Sequence, residues 1–330
     1  MPEENKKSIL ITGANGFVGS RLCRQMIAGG YHVIAGVRDG CDASLIDDLK
    51  LDYRFGDILH PETLAGMVDG VDYIIHNAGV VKVKNPEMFF TVNQTGTINI
   101  LNAAKTNSRL KKLVYISSMA ASGPSQPGYP RTEDMKPEPV TVYGRSKLAG
   151  EQEVLRESNR INSVILRPSG VYGPGDKEMY AFFGVLNNRI KPYLGNLRRR
   201  IQLVHVDDLA LAAAKALKAD TVSGSIYFVA EGRSYSYYQL VKNLRKAVGR
   251  SGLPIYIPGF MLKITALVSE RTMKLLGKVP MFTTDKAKEL LGNWEVSVVR
   301  AGNDLGFEAE ISFPEGARET VYWYRDEGWL

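Results

Sequence analysis

Apolar positions along this chain follow two periods that take turns. Short runs that are apolar nearly throughout occur at Ser8–Thr12, His32–Val37, Tyr53–Phe55, Tyr73–His76, Leu113–Ser117 and Ser163–Leu166. Between them, at about residues 17–29, 61–68, 86–107 and 143–159, apolar residues recur with the spacing of a helix face. Runs without polar alternation mark strands covered on both sides, so the pattern predicts a parallel sheet with helices on each face. Right-handed crossovers make that sheet doubly wound and place ligands at the carboxyl ends of its strands. After Arg167 the alternation loosens: Gly and Pro run through 168–200, then helices are predicted at 206–219 and 236–249 and a strand at 225–229. An apolar, basic stretch (Leu253–Lys278) and a last helix at Gly316–Gly328 complete the chain. At 330 residues the chain is long for one compact core. Residues 1–167 are expected to bind a dinucleotide, and 168–330 to form a smaller α/β substrate-binding region, partly interleaved with the first.

The first strand identifies the ligand. It ends in Thr12-Gly13-Ala14-Asn15-Gly16-Phe17-Val18-Gly19, and a helical pattern starts at once. Three glycines spaced by three between strand and helix form a dinucleotide fingerprint of a Rossmann-type sheet. Gly13 permits the tight turn, Gly16 lets the backbone approach a pyrophosphate, and Gly19 lets helix pack on strand. The phosphates sit at the positive end of the helix dipole.

Composition narrows the setting. The net charge is +7 and the isoelectric point is near 9.2, yet the sharpest basic cluster, Arg198-Arg199-Arg200, has no nucleic-acid-binding motif around it. An anionic small molecule fits better, and no nucleic-acid partner is expected. Cys23 and Cys41 lack metal-ligand spacing and read as free thiols of a reducing compartment, so no metal site is expected. The charged start runs straight into a strand, and no segment reaches the roughly 20 apolar residues of a membrane span. The expected location is the cytoplasm.

Candidate chemistry lies further on. Tyr143 and Lys147 stand four apart in Tyr143-Gly144-Arg145-Ser146-Lys147, on one face of a predicted helix. A phenol ionises near pH 10, and a neighbouring ammonium favours the phenolate, which suits acid–base work. Val114-Tyr115-Ile116-Ser117-Ser118 is a strand ending in two hydroxyls at the ligand edge of the sheet.

In order, the glycine turn, Asn77-Ala78-Gly79, Ser118 and Tyr143-x-x-x-Lys147 resemble the short-chain dehydrogenase/reductase superfamily. Val92-Asn93-Gln94-Thr95-Gly96, Arg167-Pro168-Ser169-Gly170-Val171-Tyr172-Gly173-Pro174-Gly175-Asp176 and His205-Val206-Asp207-Asp208-Leu209-Ala210 resemble its extended branch, and the likeness runs through the whole chain. The resemblance implies that Tyr143 is the general acid/base, that Lys147 holds the nicotinamide ribose and tunes Tyr143, and that Ser118 polarises the reacting oxygen. It gives Asn93 a structural and proton-relay role. Asn15, Phe17, Val18, Ile58, Ala78 and Gly79 line the cofactor, Asp57 meets the adenine, and Pro168 and Ser169 approach the nicotinamide. The helices near 86–107 and 143–159 resemble the pair that forms a homodimer interface in the family.

The second strand discriminates between cofactors. It ends Gly36-Val37-Arg38-Asp39, so Val37 takes the place where NAD-binding units carry an acid on the ribose 2′-hydroxyl. Arg38 matches a 2′-phosphate instead. NADP(H) is the expected cofactor, with NAD(H) the alternative that Asp39 keeps open. Hydride transfer between NADP(H) and a secondary alcohol or ketone, or an aldehyde, is the expected reaction. The nearest likeness is to dihydroflavonol reductases and 3β-hydroxysteroid dehydrogenases. Two alternatives stand beside it: a nucleotide-sugar epimerase with tightly bound NAD, in which Arg198, Arg199 and Arg200 take a diphosphate, and a non-catalytic NADP-binding sensor. Dehydration is disfavoured because Ser118 is followed by Met119-Ala120. The 253–278 stretch is open between a lid, a core helix and a membrane-touching surface, with membrane contact not expected.

Overall fold

A computed structural model describes residues 6–275, 280 and 282–330. Its centre is a seven-stranded parallel sheet made of β1 (Ser8–Thr12), β2 (His32–Val37), β3 (Asp52–Phe55), β4 (Tyr73–His76), β5 (Lys112–Ile116), β6 (Ser163–Pro168) and β11 (Ser225–Val229). The strand order is β3-β2-β1-β4-β5-β6-β11, so the order reverses beside β1, where a cleft opens at the carboxyl ends. Two helical layers cover it. One holds α1 (Phe17–Ala28), α7 (Val206–Lys218) and α11 (Val299–Leu305); the other holds α2 (Leu64–Val68), α3 (Glu87–Phe90), α4 (Gly96–Ala104) and α5 (Val142–Arg156).

Side-chain alternation on each strand builds both cores at once. Ile9 and Ile11 of β1 face α1 and α7, while Leu10 faces α2 and α4, and all three are fully buried. That is why the strands read as unbroken apolar runs. The sheet also crosses the expected boundary at residue 167: β11 pairs in register with β6, and α7 packs beside α1.

The remaining elements form the second lobe. They are β7 (Gly170–Tyr172), α6 (Lys177–Asn187), β8 (Ile190–Leu194), β9 (Arg200–Ile201), β10 (Leu203–His205), β12 (Tyr235–Ser236), α8 (Tyr237–Val248), β13 (Leu253–Ile257), α9 (Gly259–Leu275), α10 (Thr284–Leu291) and α12 (Phe313–Asp326). Their core packs Tyr172, Phe183, Tyr237, Leu244, Phe313 and Tyr324. Local signals set the ends: Ser236 and Gln239 form a reciprocal cap on α8, which stops at Gly249 in the left-handed conformation.

Three expectations need correction. The helix expected over 86–107 is interrupted by a π-turn at Thr91–Thr95, where the Asn93 carbonyl accepts the Thr97 hydroxyl at 2.8 Å. The 253–278 stretch divides into β13 and α9 as far as residue 275, and 276–278 fall outside the described residues. Nor is α9 a core helix, since Ala266 is its only fully buried side chain among the described residues.

Beneath the cleft, His76 sits without solvent contact between the Thr12 hydroxyl at 2.9 Å and the Thr97 hydroxyl at 3.1 Å. Burial, helped by the Lys147 ammonium, pushes its pKa from 6.5 down to about 3. The unfolded chain therefore binds a proton below pH 6.5 that the native fold refuses. Stability from this site is complete above that pH and is lost as pH falls toward 3. The loss should approach about 1.4 kcal/mol per pH unit. Denaturant titrations between about pH 7 and about pH 5 should show this slope, and His76→Asn should flatten it; parallel slopes would remove His76 as its source.

Candidate active site

The cleft is a cavity of about 1020 Å³. Its floor is the β1–α1 turn, with Gly13, Asn15, Gly16, Phe17 and Val18 on its wall. Gly13 has φ +65°, a conformation that glycine adopts without strain. Gly19 lies behind the wall: a Cβ there would stand 2.0 Å from the Gly13 carbonyl oxygen, so only glycine lets α1 close on the turn. Asp57, Ile58, Ala78 and Gly79 line the cavity from the ends of neighbouring strands. Asp57 Oδ1 accepts the Leu59 amide at 2.9 Å, which fixes its turn. At the mouth, Arg38 lines the cavity and Asp39 does not. Arg38 is exposed and its guanidinium has no hydrogen bond or ion pair among the described residues, whereas nearby Arg24 is held by Asp48 at 2.7 and 2.8 Å.

Deeper along the sheet lies a group of reactive side chains. Thr141 caps α5 by accepting the Gly144 amide at 3.0 Å, which sets the start of the helix one turn before Lys147. Lys147 is buried; its Nζ donates to the Ile116 carbonyl at 2.7 Å and lies 4.4 Å from the centre of the Tyr115 ring. A Cβ at Gly79 would be 3.8 Å from the same Nζ, so the lysine adjoins the cavity wall. Tyr143 is half-buried against Phe89, and the Ser118 hydroxyl is close enough to its phenol to lower its pKa. Ser118 Oγ also accepts the Ala120 amide at 3.1 Å, which fixes the hydroxyl at the end of β5.

The two titrating groups are pushed in opposite directions. Burial raises the Tyr143 phenol to about 12, against a lowering by Ser118. Burial lowers the Lys147 ammonium to about 8, against support from the Glu151 carboxylate. Desolvation disfavours whichever form is charged, so it holds Tyr143 as an acid and loosens the proton on Lys147.

Several expected residues fall into place differently. Asn93 is tied into the fold: its side chain donates to Val80 O at 3.1 Å and Ser146 Oγ at 2.9 Å and accepts the Val80 amide at 2.9 Å. Pro168 and Ser169 lie at the end of β6 rather than on the cavity wall, and Ser169 Oγ is buried without a hydrogen-bond partner among the described residues. A dinucleotide reaching from the glycine turn toward Lys147 fits these features: a cradle only glycine permits, a free cation at the mouth and an orphaned hydroxyl beyond. The arginine cluster is not a free triad. Arg199 is buried, with its guanidinium 3.7 Å from the centre of the Tyr237 ring and Nη1 donating to Asn196 O. Arg200 donates to Ser234.

The fold and the cleft define an NAD(P)-dependent enzyme of the extended short-chain dehydrogenase/reductase type. The chain belongs to the NAD dependent epimerase/dehydratase family, whose family model matches residues 9–230. It is 27% identical to a ceramide reductase of Caulobacter vibrioides over all of this chain and 98% of that protein. It is 25% identical to a 3 beta-hydroxysteroid dehydrogenase/Delta 5-->4-isomerase of Mycobacterium tuberculosis, covering 96% and 90% of the two chains. Among solved structures, gox2253 superposes with a TM-score of 0.86 at 27% identity, over 98% of this chain and all of the other. The UDP-glucose 4-epimerase of Thermotoga maritima shares the fold, with a TM-score of 0.78 at 22% identity over 97% and 99% of the two chains.

Two groups of residues escaped the sequence reading. Lys177, Trp323 and Trp329 close the far wall of the cavity, although they come from the second lobe and the chain end. The other group is Ser117, Glu151 and Arg167. Glu151 and Arg167 form a buried pair at 2.9 and 2.6 Å, and Ser117 Oγ donates to the same carboxylate at 2.5 Å. The available signal was spacing: Glu151 follows Tyr143 and Lys147 at steps of four along one helix face. Glu151→Ala leaves a buried guanidinium unpaired and should cost about 3–5 kcal/mol in equilibrium denaturation. The double variant Glu151→Leu, Arg167→Met should recover most of that loss. If the double variant loses as much as the single one, the pair is not what the fold requires there.

Proposed function

We propose that this protein catalyses reversible hydride transfer between NADP(H) and a secondary alcohol or ketone carried on an apolar molecule. The observation that carries this is one cavity with an unpaired Arg38 at its mouth and Ser118, Tyr143 and Lys147 gathered beyond its inner end. The bound nicotinamide supplies or takes the hydride at the substrate carbon. In reduction, Ser118 hydrogen-bonds the carbonyl oxygen and Tyr143 delivers its proton there; in oxidation Tyr143 takes the proton back. With burial holding its pKa near 12, Tyr143 is protonated at neutral pH and set for donation. Lys147 beside the cavity orients the ribose.

The apolar substrate class rests on the relatives, whose names include ceramide, a 3β-hydroxysteroid and, for one from Stenotrophomonas maltophilia, a 2-alkyl-3-oxoalkanoate. The engagement of Arg199 and Arg200 within the fold supports this class over a sugar diphosphate. In the same reading the protein works in the cytoplasm as a homodimer joined through the helices near 86–107 and 143–159, where Met88, Phe90 and Leu155 are exposed.

Tyr143→Phe should lower kcat by about 10²–10⁴ while leaving the cofactor Kd within about threefold, since only the transferred proton is lost. Undiminished kcat in that variant would take Tyr143 out of the reaction. Arg38→Ala should weaken NADPH binding by about 1.5–3 kcal/mol in a fluorescence titration, the worth of a charge-assisted contact, and leave NADH nearly unchanged. Equal weakening of both would disprove the 2′-phosphate contact.

A further inference from the structure

Helix α9 is amphipathic the wrong way round. Its buried side is narrow and centred on Ala266, while Phe260, Met261, Ile264, Leu267, Val268 and Leu275 are between 41% and 87% exposed. At about 100° per residue these six fall within about 120° of arc, the width of a stripe that normally faces a core. Just before α9 in the chain, Tyr256 of β13 is also 58% exposed. Exposed apolar surface of this extent and continuity marks an interaction site.

Charge indicates what covers it. Lys263 flanks the stripe and Arg271 lies within it; both are exposed and neither forms an ion pair among the described residues. Residues 250–275 contain a single acid, Glu270, and it is turned away: its Oε1 accepts the Thr284 amide at 2.9 Å and the Thr284 hydroxyl at 3.2 Å. A second copy seated symmetrically on this face would set Lys263 and Arg271 of one chain against the same cations of the other. A lipid surface with anionic headgroups satisfies both halves of the pattern, taking the apolar side chains between acyl chains and the cations among phosphates. No helix among the described residues is long and apolar enough to cross a membrane, so the contact is peripheral.

We propose that α9 docks this protein on an anionic lipid bilayer. Helix α9 is connected to the candidate active site through α10. Helix α10 packs on α9, its Asp285 pairs with Arg145 of α5 at 3.0 Å, and the charge of its Glu289 reaches Tyr143. An apolar substrate leaving the bilayer therefore meets the α9–α10 hairpin next to the reacting residues. The docking itself does not depend on which carbonyl compound is reduced.

The test is flotation of the full chain with vesicles of phosphatidylcholine alone and of phosphatidylcholine with about 30% phosphatidylserine. Wild type should float with the anionic vesicles, less so at high salt. Binding should fall at least about tenfold in the triple variant Phe260→Ser, Ile264→Ser, Val268→Ser. Lys263→Glu with Arg271→Glu should remove most of the preference for anionic vesicles. Both variants should keep wild-type NADPH binding, which separates this result from failure of the proposed reaction or of folding. Absence of wild-type binding to anionic vesicles, equal binding to neutral ones, or unchanged binding by the triple variant each overturns the proposal. So does a triple variant that changes oligomeric state by light scattering while wild type ignores vesicles, which would make a second copy the occupant.

Discussion

One buried ion pair fixes the geometry on which everything else in the cleft depends. Glu151 and Arg167 are each about 1% exposed, and the carboxylate also takes the Ser117 hydroxyl. Each partner stands next to a working part. Glu151 is one turn along α5 from Lys147 and two from Tyr143; Ser117 precedes Ser118; Arg167 precedes Pro168 and Ser169. A single carboxylate thus locks the helix that carries Tyr143 and Lys147 to the ends of the two strands that lead to Ser118 and Ser169. Neither ion can leave its place without stranding the other in a low-dielectric interior, which makes the arrangement rigid even where its net stabilisation is small.

Rigidity here serves electrostatics. The same burial that fixes Lys147 against the Ile116 carbonyl and the Tyr115 ring lowers its affinity for a proton, and burial raises that of Tyr143. The two groups are thereby driven apart in proton affinity, the phenol kept protonated and the ammonium made easier to deprotonate. Below them, the Thr12–His76–Thr97 chain keeps a neutral imidazole under the cleft, so the floor adds no charge of its own at neutral pH. The glycine turn and the exposed Arg38, the parts assigned to the dinucleotide in the proposed reaction, lie elsewhere on the cavity wall.

The second lobe departs from the economy of the first. Its core is aromatic, with Tyr172, Tyr237, Phe313 and Tyr324 packed together, and it lends Trp323 and Trp329 to the cofactor cavity. Yet it leaves the apolar stripe of α9 in solvent. Uncovered apolar area on that scale opposes solubility, and its presence on a helix packed against α10 is understandable when the face has a partner.

The doubly wound parallel sheet and the dinucleotide turn were legible because they rest on local signals, whereas the strand order, with β11 joining from beyond residue 167, was not. Buried parallel strands are apolar at every position, as at Ile9-Leu10-Ile11, and the turn at Gly13 needs a residue free to adopt positive φ. The helix spacing of Tyr143 and Lys147 was equally readable. What stayed hidden is whatever depends on which distant segments meet. Nothing in Arg198-Arg199-Arg200 says that the second is buried over Tyr237 and the third bonded to Ser234, while Arg38 stays free. Likewise the apolar spacing of Phe260, Ile264 and Leu267 is the same for a core helix and an exposed one. Periodicity fixes which side chains share a face, whereas only the packed neighbours determine whether that face meets protein or solvent.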